Sequence, residues 1–314
     1  MTKVFIDGKA GTTGLKIFDR LSERADIELL TLPEELRKDI AARKEMLNTA
    51  DIAFLCLPDA AAREAVSLIE NPNTVVIDTS TAHRTNPDWA YGFPELSAEF
   101  AEKVRTSKRI AVPGCHASGF IALVYPLISK GIVPAEVLLN CFSLTGYSGG
   151  GKQMIADYDD EDRSFELDSP RQYALAQMHK HLPEMCAITG AKSAPCFCPV
   201  VGDFYSGMQV TVPVHKSQLN SGYSIDSIKN AYKELYTDDM VTYVEPMDES
   251  GFVSSNALTG FDNMQITVEG NEDRILLIAR YDNLGKGASG AAVECMNIAL
   301  GIDKTTSLII KDVK

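Results

Sequence analysis

The sequence predicts an α/β fold: a doubly wound parallel sheet, followed by a second α+β region built on a mainly antiparallel sheet. Three observations carry this. Short apolar runs alternate with helical patterns through the first hundred residues. A glycine loop joins the first strand to the first helix. Longer stretches of alternating apolar and polar residues fill the second half, over residues 194–214 and 264–281. The length of 314 residues suits two domains, and 45% hydrophobic residues suffice for a substantial core.

The first strand, residues 3–7, runs into Gly8-Lys9-Ala10-Gly11-Thr12-Thr13-Gly14 and then a helix carrying Leu15, Ile17, Phe18 and Leu21. Gly8, Gly11 and Gly14 are spaced as a variant of the dinucleotide fingerprint. In such a loop the glycines let backbone approach a diphosphate, and the helix start at Thr12 and Thr13 supplies amide donors. The second strand, residues 27–32, ends in Leu32-Pro33, where a site preferring NAD would carry an acid for the ribose hydroxyls. Arg37 and Lys38 follow instead, which favours NADP; solvated charges on a helix would look the same. Strands at 51–57 and 74–78 flank an alanine-rich helix at 60–69. Arg84 lies just past a strand end, where a forked donor could meet a phosphate or carboxylate, or pair structurally with a residue such as Asp78.

Residues 109–112 read as a short buried strand that ends in Pro113-Gly114, and 117–130 as a helix with apolar Phe120, Leu123, Val124, Leu127 and Ile128. Cys115 therefore occupies a strand-to-helix corner. Amide groups and the helix dipole there favour an anion, so the thiol is expected to ionise readily and to act as a nucleophile. The plainer alternative is a small buried hydrophobe.

A strand over 136–145 leads into Gly146-Tyr147-Ser148-Gly149-Gly150-Gly151-Lys152, bare backbone suited to a cofactor or substrate, or else a flexible tip. The acidic residues 157–162 read as solvated surface. In His179-Lys180-His181-Leu182-Pro183-Glu184, Pro183 fits the first turn of a helix, and the histidines offer a base or substrate contact. Familiar metal-ligand spacing is not completed there, nor at Cys196-Phe197-Cys198, which is assigned to packing, so no metal is expected. A helix follows at 224–235. Asn283, in the turn before a small-residue helix reaching Leu300, could bond a carboxamide through both sides of its amide. That helix is expected to return to the first domain.

The formal charge of -13 opposes nucleic acid and anionic membrane as partners. No apolar run approaches membrane-spanning length, and the N-terminal residues lack the features of a signal peptide, so a cytoplasmic protein is expected. Seven scattered cysteines, an odd number, argue against a disulfide framework.

The glycine loop, Asp78-Thr79-Ser80-Thr81-Ala82-His83-Arg84, Tyr91-Gly92-Phe93-Pro94-Glu95, Pro113-Gly114-Cys115, Tyr147 to Lys152, His179 to Glu184 and Asp282-Asn283-Leu284-Gly285-Lys286-Gly287-Ala288 occur in one order along one chain. In that order they resemble the shorter form of the N-acetyl-gamma-glutamyl-phosphate reductase family, allied to aspartate-semialdehyde and glyceraldehyde-3-phosphate dehydrogenases. The resemblance implies a Rossmann-type domain completed by the C-terminal helix, here 1–115 plus 284–314, and an inserted domain over 116–283 that mediates homo-oligomerisation as a dimer or tetramer. It implies NADPH-dependent reduction of N-acetyl-L-glutamyl 5-phosphate to the semialdehyde, a step of arginine synthesis. Cys115 would form a thioester, His179 would act as acid/base, and His181, Glu184 and Arg84 would hold substrate. Gly8, Gly11, Thr12, Thr13, Gly14, Arg37, Lys38, Ser148, Gly149 and Asn283 would hold the cofactor. Tyr205-Ser206 stands where the longer form carries an arginine, and His83, His116 and Ala117 also depart from the longer form. Aspartate-semialdehyde dehydrogenase is the nearest rival, although its nucleophile usually follows asparagine, whereas Cys115 follows Gly114. A non-redox cysteine acyltransferase or hydrolase would leave the glycine loop and Asn283 unexplained.

Overall fold

Strands covered by helices on both faces must be apolar on both faces, and the first sheet meets that demand. The computed structural model describes residues 1–247 and 249–312. Two compact units divide it: Met1–Gly114 with Ala288–Leu308, and Cys115–Gly287 with the segment from Ile309. The first unit runs β1 (Thr2–Asp7), α1 (Thr12–Ser22), β2 (Ile27–Leu30), α2 (Ile40–Thr49), β3 (Ile52–Leu55), α3 (Asp59–Ser67), β4 (Val75–Asp78), β5 (Ala90–Tyr91), α4 (Ala98–Thr106) and β6 (Arg109–Ala111). Its sheet has the order β2-β1-β3-β4-β6-β5, with every neighbouring pair parallel. Within the buried runs, side chains still alternate. Val4, Ile6, Phe54 and Ile77 join Ile17, Leu21 and Val104 on one face, together with Val293 and Met296 of the helix Gly290–Ala299. Phe5, Ala53, Leu55 and Val76 join Leu47, Ala62 and Ala65 on the other.

From β1 the chain proceeds to β2 on one side and β3 on the other, so the carboxyl ends of β1 and β3 flank the crevice where open α/β sheets bind ligands. β2, β3 and β6 stop one or two residues short of the apolar runs that signal them; β2 ends at Leu30, before Leu32-Pro33. α2 carries little apolar pattern and α4 buries only Val104, but both are capped. Asp39 accepts from the Ala42 amide (2.8 Å) at the start of α2, and Ser97 from the Phe100 amide (3.3 Å) at the start of α4.

The second unit runs α5 (Cys115–Ser129), β7 (Asn140–Gly146), α6 (Gly151–Asp159), β8 (Arg171–Gln172), α7 (Leu182–Thr189), β9 (Cys196–Gly202), β10 (Met208–His215), α8 (Ile225–Leu235), β11 (Val241–Tyr243), β12 (Met264–Gly270) and β13 (Arg274–Tyr281). The chain then turns through a π-helical segment, Gly285–Ser289, into α9 (Gly290–Ala299). The second sheet, β11-β12-β13-β10-β7-β9-β8, is antiparallel except at β11-β12 and β7-β9. Val210, Val212 and Val214 of β10 point inward, where α5 packs, and alternate with half-buried Thr211 and Pro213. On the outer face Phe142 and Leu276 are exposed.

Two expectations change here. Cys196 is exposed and Cys198 only half-buried, while Phe197 between them is buried, so the phenylalanine does the packing. The glycine run is no flexible tip: Tyr147–Gly150 forms a 3-10 turn, and Gly151, with φ 76°, begins α6. Among the described residues no helix is long and apolar enough to cross a membrane.

Gly119 sets the approach of α5 to the sheet. A Cβ there would lie 2.6 Å from Cγ2 of Val210 and 2.8 Å from the Tyr281 hydroxyl. Gly119→Ala is expected to destabilise the protein by roughly 1–3 kcal/mol through overpacking, read as a lower urea midpoint at unchanged m-value.

Candidate active site

Four residues separate the end of β6 from the interior of α5, and Cys115 is the first residue of that helix. Tyr281, at the end of β13, fixes the first helical turn. Its hydroxyl accepts from the Gly119 amide (3.0 Å) and donates to the Cys115 carbonyl (2.5 Å). The cysteine remains half-buried, and Gly287 leaves it room, since a Cβ there would come within 3.1 Å of the Cys115 Cβ. The following residue, His116, is buried and bonded on both nitrogens, Nδ1 to Ser143 Oγ and Nε2 to the Tyr173 hydroxyl, each at 2.6 Å.

The segment carrying the paired histidines is docked by Gln177. Its amide donates to the Phe197 carbonyl (2.7 Å) and accepts from the Phe197 amide (2.8 Å). Ala174 and Gln177 both hold left-handed backbone, φ 52° and 55°, a conformation that persists in non-glycine residues only where surrounding contacts impose it. The result is a cluster of rings. His179 meets His116 edge-on at 5.6 Å between centroids, His181 lies 5.7 Å from His116, and His179 and His181 are 4.7 Å apart. Nδ1 of His179 accepts the His181 amide (3.2 Å), so in the neutral ring the proton sits on Nε2. Burial, then the charge on Lys180, holds the His179 pKa below its ordinary value. Glu184, in the first turn of α7 beside Pro183, is buried. The structure thus gathers His179, His181 and the neighbour of Cys115 into one cluster. His116, Ser143, Tyr173 and Tyr281 are the members that sequence reading had not singled out.

Ser148 and Asn283 also meet, but differently from expectation. Asn283 is buried; its Nδ2 donates to Ser148 Oγ (2.9 Å) and its Oδ1 accepts from the Gly207 amide (2.9 Å). Both sides of the amide are engaged within the unit, because a buried amide needs internal partners, rather than being offered together to a bound carboxamide. Gly149 lies alongside, where a Cβ would come within 3.6 Å of Asn283 Nδ2.

In the first unit, Gly8 (φ 86°) and Gly14 close the loop after β1, and a Cβ on Gly14 would lie 2.6 Å from the Gly8 carbonyl oxygen. Gly11 caps α1 without a side-chain bond, which leaves the first-turn amides at Thr12 and Thr13 without a side-chain acceptor from their cap. A cavity of about 720 Å³ opens beside this loop, lined by Gly8, Lys9, Leu30, Leu32, Arg37 and Lys38 among others. Arg37 reaches it while paired with exposed Glu34 (2.9 Å).

Arg84 is buried and spends Nε on the Val112 carbonyl (2.8 Å) and Nη2 on the Thr79 carbonyl (2.9 Å). It anchors the strand that leads to the cysteine turn, which corrects its placement as an open anion receptor. Asp78, the structural partner considered for it, instead bonds Ser80 Oγ (2.7 Å) and His83 Nδ1 (2.6 Å), and the His83 ring stacks on Trp89 at 4.0 Å and 7°.

Residues 3–104 match the family described as semialdehyde dehydrogenase, NAD binding domain, and residues 115–283 that described as semialdehyde dehydrogenase, dimerisation domain. The N-acetyl-gamma-glutamyl-phosphate reductase of Sinorhizobium medicae is 44% identical, over 95% of this chain and 98% of its own. The chain belongs to the N-acetyl-gamma-glutamyl-phosphate reductase family. Reductase 2 of a Nostoc species is 42% identical, over 98% of this chain and 99% of its own. This chain shares its fold with solved aspartate semialdehyde dehydrogenases: that of Francisella tularensis has a TM-score of 0.71 at 15% identity, covering 95% of this chain and 99% of that one. Enzyme II of Vibrio cholerae has a TM-score of 0.70 at 17% identity, covering 96% and 98%. The resemblance read from the sequence therefore stands, and a nicotinamide cofactor accompanies it.

Burial, with His179 adding to it, holds the His116 pKa down at about 3, against 6.5 ordinarily. Between these values the unfolded imidazole takes up a proton and the folded one does not, so this contribution to stability is complete above pH 6.5 and is lost as pH falls toward 3. Urea melts should show His116 contributing up to about 1.4 kcal/mol of loss per pH unit in that window, and His116→Gln should flatten the slope.

Proposed function

We propose that this chain reduces N-acetyl-L-glutamyl 5-phosphate to N-acetyl-L-glutamate 5-semialdehyde, using NADPH and releasing phosphate, as a cytoplasmic enzyme of arginine synthesis. The carrying observation is a half-buried cysteine at the start of a helix, next to a cluster of imidazoles. The Cys115 thiolate attacks the acyl carbon, the C–O bond to phosphate breaks, and a thioester remains on the sulfur. NADPH, when bound, supplies the hydride that reduces the thioester carbon. Collapse of the resulting thiohemiacetal breaks the C–S bond, frees the aldehyde and restores the thiolate. His179, with its proton on Nε2, presents that N–H to the leaving phosphate as a hydrogen-bond donor; to serve as the acid/base it takes up a second proton at Nδ1, displacing the His181 amide, and passes on the Nε2 proton. His181 and Glu184 hold the substrate, and Arg84 fixes the carbonyl of Val112, three residues before Cys115 in the chain.

Met1–Gly114 with Ala288–Leu308 serves as the nucleotide domain, and the unit from Cys115 as the substrate domain. The glycine loop suits a diphosphate because Gly8 and Gly14 let the turn close tightly on its own backbone and the first turn of α1 has no side-chain cap. Arg37 and Lys38, at the rim of the adjoining cavity, favour the 2′-phosphate of NADP. Ser148 and Gly149 lie on the substrate domain as further cofactor contacts, with Asn283 holding Ser148 in place. The exposed Phe142 and Leu276 on the outer sheet face, in a region that matches a dimerisation domain, support a homo-oligomer in which a second copy of this chain covers that face. Seven free cysteines among the described residues agree with a reducing compartment.

The reaction can be followed in reverse from the semialdehyde, NADP and phosphate. Cys115→Ala is expected to lose at least about 1,000-fold in kcat while binding NADP with unchanged Kd; normal turnover by that variant would refute the thioester. Replacing Arg37 and Lys38 together by Ala should raise KM for NADP by roughly tenfold and leave KM for NAD within about twofold, as loss of ion pairs to a 2′-phosphate requires.

A further inference from the structure

We infer that Ser143, His116 and Tyr173 form a one-way hydrogen-bond chain in which His116 is a positioning residue, turning the Tyr173 hydroxyl proton toward the acyl group on Cys115. The inference rests on the Cys115 reading above. Ser143 and His116 are buried, at 1% and 3% exposure, and both bonds of the chain are 2.6 Å. A neutral imidazole has one N–H and one lone pair, so the chain has only two orders. In one, Tyr173 donates to Nε2 and Nδ1–H donates to Ser143, whose own hydroxyl proton then needs an acceptor elsewhere. Among the described residues Ser143 Oγ makes no hydrogen bond except that to His116. A buried hydroxyl donor left unmatched costs about 1–3 kcal/mol. In the other order Ser143 donates to Nδ1, Nε2–H donates to the Tyr173 oxygen, and no buried donor is stranded. The phenolic proton is then the one group left to be met from outside.

Two observations agree with that direction. Tyr173 is half-buried whereas Ser143 is buried, so the tyrosine is the end of the chain nearer the surface. Its phenol pKa is raised above the ordinary value by burial and then by the charge on Cys115, which keeps it a donor at neutral pH, and the imidazole it bonds belongs to the residue next to Cys115. The rings packed on His116 are those of His179, His181, Tyr173 and Phe197, and burial and His179 together hold its pKa below the ordinary value. The carbonyl oxygen of the acyl group gains negative charge when the thiolate attacks and again when hydride arrives. A fixed O–H donor lowers both barriers without any net proton transfer.

The test uses the full-length enzyme with the semialdehyde, NADP and phosphate. Tyr173→Phe and His116→Phe should each lower kcat about 100-fold, the scale of one lost oxyanion donor, with KM within about threefold. His116→Gln, whose amide can accept from Ser143 and donate to Tyr173, should recover to within about fivefold of the parent. Ser143→Ala, which lets the imidazole exchange tautomers, should lower kcat about tenfold although Ser143 touches no substrate. If Ser143→Ala leaves kcat per folded molecule unchanged, the chain does not run in this direction; if Gln at 116 is no better than Phe, the bonds do not matter to turnover. Mass measurement of Cys115 after mixing with semialdehyde and NADP, without phosphate, separates the two levels. No acyl group on Cys115 of the parent enzyme refutes the thioester itself. An acylated Cys115 together with full turnover by Tyr173→Phe refutes only this inference.

Discussion

One hydroxyl joins the end of the second sheet to the start of its central helix. Tyr281 bonds the Cys115 carbonyl and the Gly119 amide at once, so the final residue of β13 holds the first turn of α5 in place. The helix can accept that restraint because it is buried almost all round, from His116 to Leu127, and packs on β10, β13, α7 and α8. A nucleophile on a loop would have to be ordered by the substrate. Here its backbone is set by a strand, a glycine contact and a phenol before any ligand arrives.

The same economy appears around the imidazoles. Gln177 pairs with both backbone groups of Phe197, which pins a segment with two left-handed residues against β9. From that segment Tyr173, His179 and His181 reach His116, and each ring has its orientation limited by another. Neutral imidazoles can crowd in this way; charged ones could not, and burial keeps His116 and His179 on the neutral side.

Much of this was legible in the residues alone. Period-two alternation marked β10, β12 and β13, the glycine loop marked the β1-to-α1 turn, and Pro183 marked the start of α7. Boundaries drifted where apolar side chains continue past the last ladder bond, as at Leu32 and Leu57. α2 and α4 were missed because their apolar faces are thin, although Asp39 and Ser97 stood in the sequence as caps. Side-chain roles were harder. His116 stands next to Cys115, yet its partners lie 27 and 57 residues away. Arg84 and Asn283 have donors that a ligand could use, and only the fold reveals that carbonyls and amides of the same unit already hold them. Polar residues advertise capacity for bonding; burial decides with whom.

The stacked pair in the loop after β4 has an optical consequence. Trp89 is the one tryptophan in the sequence, and it lies flat on an imidazole whose own position is locked by Asp78. Its fluorescence is therefore exposed to changes in that contact, with no second indole to blur the signal. Any rearrangement that slides the two rings apart at the carboxyl end of the parallel sheet changes the emission, so the nucleotide-binding half carries an intrinsic reporter that needs no label.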